Sequence, residues 1–203
     1  MFHTCSCGEA PHRLTPGQTV TAREVTTIRS ERVRLPAPEG LTHLQFRRFA
    51  ACPICNVHLR SVARRHDEIV AAGIREFVVF HSSIEAMLPH QGMLPFAALA
   101  DPDKQLYAEF GVEVSARANL HPRAWSAPLR PQTWSTVARG LRAGGGLGSQ
   151  GESMLGLPAD FLIGPDGRVL AAHYGRHAND QWSVDELLRI AGTFSQRSQT
   201  SWQ

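Results

Sequence analysis

The chain of 203 residues has no apolar run near the 18 residues that a membrane span needs, so a membrane protein is not expected. Its first residues, MFHTCSCGEAPHR, have no apolar centre and do not read as a secretory signal. Like charges do not cluster. The 21 basic and 18 acidic residues are interspersed and leave a formal charge of +3, which gives no nucleic-acid arm. Cysteine is scarce: four in a chain this long make no disulfide framework. These absences point to a cytoplasmic protein in a reducing compartment. There, a pair of cysteines two residues apart is more often catalytic or metal-binding than structural.

One such pair is present, Cys52-Pro53-Ile54-Cys55. It follows the strand-like run 41–50 and precedes a helix-like run whose apolar stripe includes Val57, Val62, Ile69 and Val70, with Gly73 as its stop. Proline suits the first helical turn because it has no N–H to leave unpaired. A sulfur at that junction faces unpaired N–H groups and the positive end of the helix dipole. Cys52 is therefore expected as a nucleophile with a lowered pKa, and Cys55, one turn on, as the buried thiol that resolves a mixed disulfide. The competing reading is a zinc site in which Cys5 and Cys7 complete a four-thiolate set. It would make the chain a non-catalytic binding module.

The remaining pattern is α/β. The segment 24–35 reads as a hairpin ahead of the main domain. Phe77-Val78-Val79-Phe80 reads as a buried parallel strand, followed by a helix capped at Ser82 or Ser83 and ending near Gly92. Residues 95–112 read as strand, Asp101-Pro102-Asp103 turn and helix, and 159–175 as a hairpin turning at Gly164-Pro165-Asp166-Gly167. Ser183 and Glu186 form a capping box for a last helix ending near Gly192. From residue 41 the order is β–α–β–α–β–α, then an insert, then β–β–α. That order gives a central mixed sheet with helices on both faces. The expected organisation is a mobile tail over 1–13, one domain over 14–192 interrupted by an insert at 115–156, and a tail over 193–203.

Pro158 precedes the strand at 159, and a cis Leu157–Pro158 bond is expected there, turning a backbone edge toward the thiols. Leu157 and Pro53 would then border the substrate. Arg47 and Arg48 read first as solvated charge at a strand edge, with Arg48 and His81 as auxiliary candidates for the chemistry. His58 reads as a surface residue, Asp160 carries no assignment, and Trp125 and Trp134 flank the insert.

The stretches FAACPICN, FVVF, PFAALADPDKQLYAEFGV and LPADFLIGPDGRVLAAHYG resemble the thioredoxin-like superfamily, and within it the AhpC/TSA peroxiredoxin-like proteins. The resemblance covers about residues 41–192. It implies a thioredoxin fold with an N-terminal hairpin extension and an insertion. It also implies an antioxidant oxidoreductase cycling between dithiol and disulfide, without cofactor or metal. Its partners would be a thioredoxin- or glutathione-type electron donor, a peroxide or protein disulfide, and a second copy in a homodimer. Two departures stand out. The family carries P-x-x-x-T-x-x-C at the peroxidatic cysteine, where this chain has Gln45 and Phe49 in place of Pro and Thr. The family's peroxide-polarising Arg is replaced by Pro158. On those departures disulfide exchange is favoured over peroxide reduction.

Overall fold

A computed structural model describes residues 13–112 and 156–200, the side chains of 195–200 excepted. The insert, Trp125, Trp134, Cys5 and Cys7 lie outside the described residues. Strands β1 (Arg23–Thr26) and β2 (Arg32–Leu35) pair antiparallel as the expected hairpin. The main sheet contains β3 (Leu41–Phe46), β4 (Ile74–Phe80), β5 (Ala97–Ala100), β6 (Ala159–Ile163) and β7 (Val169–Tyr174). Its order is β5-β4-β3-β6-β7; β3, β4 and β5 run parallel, and β6 and β7 add on antiparallel. This is the mixed sheet that the alternation of patterns predicts.

Strand alternation divides the core into two layers. Leu44, Phe46, Phe77, Val79, Phe161 and Ile163 face α4 (Gln105–Glu109), where Tyr107 and Phe110 join them. The opposite face carries Val78, Phe80 and Leu162. Against it lie α1 (Pro53–Arg64), α2 (His66–Ala71), α3 (Ile84–Gln91) and α5 (Val184–Thr200), through Leu59, Ile69, Met87 and Leu187. Both faces of the sheet are thus covered, which is why β4 reads as a continuous apolar run. Among the described residues no helix is long and apolar enough to cross a membrane.

Local chemistry sets the helix ends. Ser83 Oγ accepts the Ala86 N–H at 3.3 Å, and Ser183 Oγ accepts the Glu186 N–H at 3.2 Å. The Asp101 carboxylate accepts the N–H groups of Gln105, Leu106 and Tyr107 at 2.9, 2.9 and 3.2 Å and so starts α4. Gly73 ends α2 at φ 74°, and its carbonyl receives the Leu41 N–H at 2.8 Å. A β-carbon on neighbouring Gly40 would lie 2.3 Å from that oxygen, so only glycine fits where β3 begins.

Two boundaries differ from expectation. The first helix breaks at Arg65, whose φ of −112° leaves the helical region before α2 resumes. The last helix passes Gly192 and continues to Thr200 instead of giving way to a tail at 193. Nothing lies within 4 Å of a β-carbon built on Gly192, so the position is open. A single interior glycine there costs about 1 kcal/mol without ending the helix.

Candidate active site

The CPIC segment leaves the carboxyl end of β3 through a loop pinned at several points. The Arg47 N–H donates to the Val79 carbonyl at 2.9 Å, and the Ala50 N–H to Ser82 Oγ at 2.8 Å. The Ala50 carbonyl accepts from Asn56 Nδ2 and Gln91 Nε2 at 2.8 and 2.9 Å. The Tyr107 hydroxyl donates to the carbonyls of Arg47 and Val79. Cys52 is thereby fixed as the N-cap of α1, with exposed Pro53 in the first turn. Cys52 Sγ accepts the Cys55 N–H at 3.4 Å. The two sulfurs are free thiols joined by a hydrogen bond at 2.8 Å, and both side chains are buried.

The arginines correct the sequence reading. They are not solvated edge charges: Arg47 is 0% exposed and Arg48 4%. Arg47 continues the alternation of β3 beyond Phe46 and therefore points beneath α1 with His43 and Gln45. There its Nη2 donates to Asp160 Oδ1 and Gln45 Oε1, each at 2.7 Å. It also lies 3.3 Å from His58 Nε2. His43 Nδ1 meets Glu76 at 2.9 Å and His43 Nε2 meets Asp160 at 3.3 Å. Gln45 Nε2 donates to Glu76 and joins the two halves of the group. His43, Gln45 and Arg47 from β3 and its end, Glu76 from β4 and Asp160 from β6 form a buried polar layer under the first turn of α1.

Ionisation follows from that layer. Burial opposes a thiolate at Cys55, but its hydrogen bond with Cys52, the Arg48 charge and peptide N–H, and the Arg47 charge outweigh it and bring Cys55 down to about 7. Cys52 moves the other way: burial and the hydrogen bond and charge of Cys55 push it up, and Arg48 offsets only part of this. The two thiols titrate as a pair that loses its first proton near neutrality and holds the second, the shared proton lying between the two sulfurs. His58 is half-buried rather than on the surface. Burial and the Arg47 charge lower it to about 3, so its ring is neutral and Nε2 accepts from Arg47. Burial disfavours a charged His43, yet Glu76 and Asp160 raise it to about 9. Burial opposes charge on Asp160 too, but Arg47 and His43 hold it well below the ordinary carboxylate range.

The other candidates are placed as follows. Among the described residues the one cis peptide bond is Leu35–Pro36, so Leu157–Pro158 is trans, against expectation. Pro158 starts an ordinary strand: its carbonyl accepts the Gly175 N–H at 2.8 Å, and the next residue, Ala159, pairs with Phe46. The segment still lies at the cysteine end of β3. A β-carbon on Gly156 would be 3.6 Å from Arg48 Cγ and 3.8 Å from His81 Nε2. Leu157 is half-buried beside it. His81 is buried, with its ring edge-on to Tyr107 at 5.8 Å. The Arg48 guanidinium lies 5.5 Å over the ring of Phe49. Among the described residues no group of three or more His, Cys, Asp and Glu is arranged to hold a metal. Sequence reasoning missed His43, Glu76 and Asp160; the usable signal was polar residues at 43, 45 and 47 of a strand whose other face is apolar.

No curated protein matches the chain by sequence. Among solved structures it is similar to peroxidoxin BcpB of Mycobacterium tuberculosis, with a TM-score of 0.63 at 17% identity over 90% of this chain and 98% of that one. It is similar to the reduced 2-Cys peroxiredoxin of Plasmodium vivax, with a TM-score of 0.63 at 14% identity over 92% and 84%. Enterococcus faecalis AhpC gives a TM-score of 0.59 at 15% identity over 91% and 95%. The fold is therefore the thioredoxin-like one of peroxiredoxins. The family model described as AhpC/TSA antioxidant enzyme matches residues 61–177, a span that begins after Cys55 and covers more than half of the sequence. The chain belongs to the AhpC/TSA antioxidant enzyme family.

Proposed function

We propose that the chain is a peroxiredoxin-like thiol oxidoreductase that reduces a peroxide with Cys52 and closes a Cys52–Cys55 disulfide. The observation that carries this reading is the pair of free sulfurs 2.8 Å apart in the first turn of α1, next to two buried arginines. Cys52 is the N-cap and borders exposed Pro53, so it attacks; Cys55 lies one turn inside. As Cys52 attacks, its proton passes to the Cys55 sulfur. Attack on the peroxide O–O bond gives a Cys52 sulfenic acid and an alkoxide, which takes up a proton. Cys55 then displaces hydroxide from the sulfenic sulfur, forming the disulfide and, after protonation, water. A thioredoxin- or glutathione-type thiol donor returns two electrons to the pair.

Sequence alone favoured disulfide exchange because the family's Thr and Arg are missing. Arg48 weakens that objection: its charge acts on both sulfurs, and in this reading it also offsets negative charge on the departing oxygen. Disulfide exchange remains the second reading, favoured by the closeness of the second thiol. Rapid mixing of reduced protein with hydrogen peroxide, an alkyl hydroperoxide or a small disulfide separates them. Fast, saturable loss of both thiols with either peroxide is expected. Cys52→Ser should abolish it, and Cys55→Ser should stop at the sulfenic acid. Fast reaction with the disulfide alone would establish exchange instead. Full turnover by Cys52→Ser would refute both readings.

A further inference from the structure

The polar layer under α1 holds two cations and two anions with no access to water. His43, Gln45 and Arg47 come from β3 and its end, Glu76 from β4 and Asp160 from β6. Among them Arg47 reaches the redox turn. The Arg48 peptide N–H next to it serves Cys55, and the Arg47 guanidinium touches His58, which follows Cys55 by one turn on the same helix face. Its other partner is Asp160, bound at 2.7 Å. A buried ion pair is weak support for stability, because desolvation of two charges cancels much of their attraction. What this pair does well is hold a charge at a fixed place in a dry region, where fields act strongly.

We propose that Arg47 and Asp160 are positioning residues for the dithiol: Arg47 holds a fixed positive charge under the first turns of α1, Asp160 offsets part of it, and their balance sets the reduction potential of the Cys52–Cys55 pair. This deepens the function proposed above and rests on it. Reduction of the disulfide takes two electrons, breaks the S–S bond and leaves one thiol and one thiolate, with uptake of one proton. The thiolate is the species that Arg47 favours, so a stronger net field stabilises the reduced form and makes the potential less negative. The groups acting on that thiolate are Cys52 at the N-cap of α1, Arg48 and Arg47 in the loop after β3, and Tyr107 on α4, with His58 of α1 against Arg47. Behind Arg47 stand Asp160, His43 and Glu76.

The test reads two quantities: the pH midpoint of thiolate formation, from absorbance near 240 nm or rate of alkylation, and the potential against a glutathione redox buffer. Asp160→Asn removes the offsetting anion and should lower the thiolate midpoint by about one pH unit. It should also favour the reduced form about tenfold, a shift of about 30 mV toward less negative values. Arg47→Met should move both quantities by a similar amount in the opposite direction, and Arg47→Lys, which keeps the charge, should leave both near wild type. Opposite signs mark an electrostatic role. General loosening of the site would instead move both variants the same way, toward an ordinary thiol, and that result overturns the proposal. If Asp160→Asn fails to fold, Arg47→Met read against Arg47→Lys decides: a shift for Met alone supports the proposal, and equal shifts overturn it. Failure of the function itself is distinguishable, because the wild-type chain would then show no reversible thiol–disulfide midpoint in the glutathione buffer.

Discussion

With both cysteines replaced, buried His43 and half-buried His58 should give the fold a stability maximum near pH 6.5, and replacing His43 should remove one side of it. His43 rises from 6.5 to about 9 and His58 falls from 6.5 to about 3. A raised pKa stabilises the fold below the unfolded value and loses that contribution as pH climbs through the folded one. The His43 contribution is therefore complete below about pH 6.5 and disappears by about pH 9. At about 1.4 kcal/mol per pH unit this limb is worth about 3 kcal/mol, and His43, at 1% exposed, is not screened by solvent. His58 and Asp160 are lowered, so their contributions hold at higher pH and fade as pH falls; together they make the acid limb. Cys55 complicates the alkaline limb. Lowered from 9.0 to about 7, it adds stability as pH rises across that same interval and nearly masks the loss from His43. The assay is thus urea unfolding of the Cys52→Ser/Cys55→Ser double variant from pH 4 to 10, with and without His43→Gln. The double variant should lose about 3 kcal/mol between pH 6.5 and 9, and the triple variant should be flat there. An alkaline limb that persists without His43 would refute the assignment of charge to this ring.

Two further predictions concern the frame of the site. Asp101→Ala removes the carboxylate that accepts three N–H groups at the start of α4 and should cost about 1–2 kcal/mol, seen as a lower urea midpoint. Phe46→Ala opens a cavity among Tyr107, Phe110 and Phe161, whose rings lie 5.0, 5.2 and 5.8 Å from it, and should cost about 3–5 kcal/mol in the same assay.

Much of the fold was legible because its signals are local. The Phe77–Phe80 run, the Gly-Pro-Asp-Gly turn, the Asp101-Pro102-Asp103 turn and the Ser183/Glu186 cap each work within a few residues, and each appears where expected. The errors fall where a distant contact decides the outcome. Arg65 leaves the helix while bonded to Glu68 at 2.7 Å and to Asp185 of α5 at 2.6 Å, a partner that no local pattern reveals. Gly192 looked like a stop because glycine often ends helices, yet no residue there adopts the conformation that ending requires. Pro158 likewise looked special by position. Its neighbours Phe46 and Gly175 use the backbone around it as regular sheet, so it is an ordinary strand start.

The site divides along the same line. Cys52 and Cys55 could be placed from sequence because an N-cap, a proline and an i, i+3 spacing are short-range geometry. The buried charge beneath them was not legible, because Arg47 is held under α1 by Asp160 from a strand far away in the chain. Arg47 in isolation reads as solvated, since lone arginines are rarely buried. It becomes a buried charge only when β6 brings Asp160 to β3 in the register that pairs Asp160 with Gln45. A shift of one residue in that register would turn Asp160 to the face of Tyr107 and Phe110, leaving Arg47 without its anion under α1. The strand register therefore decides whether a paired, buried Arg47 charge stands under the CPIC turn. A relative that kept both cysteines and lost the Arg47–Asp160 pair would keep the disulfide but hold it at a different potential.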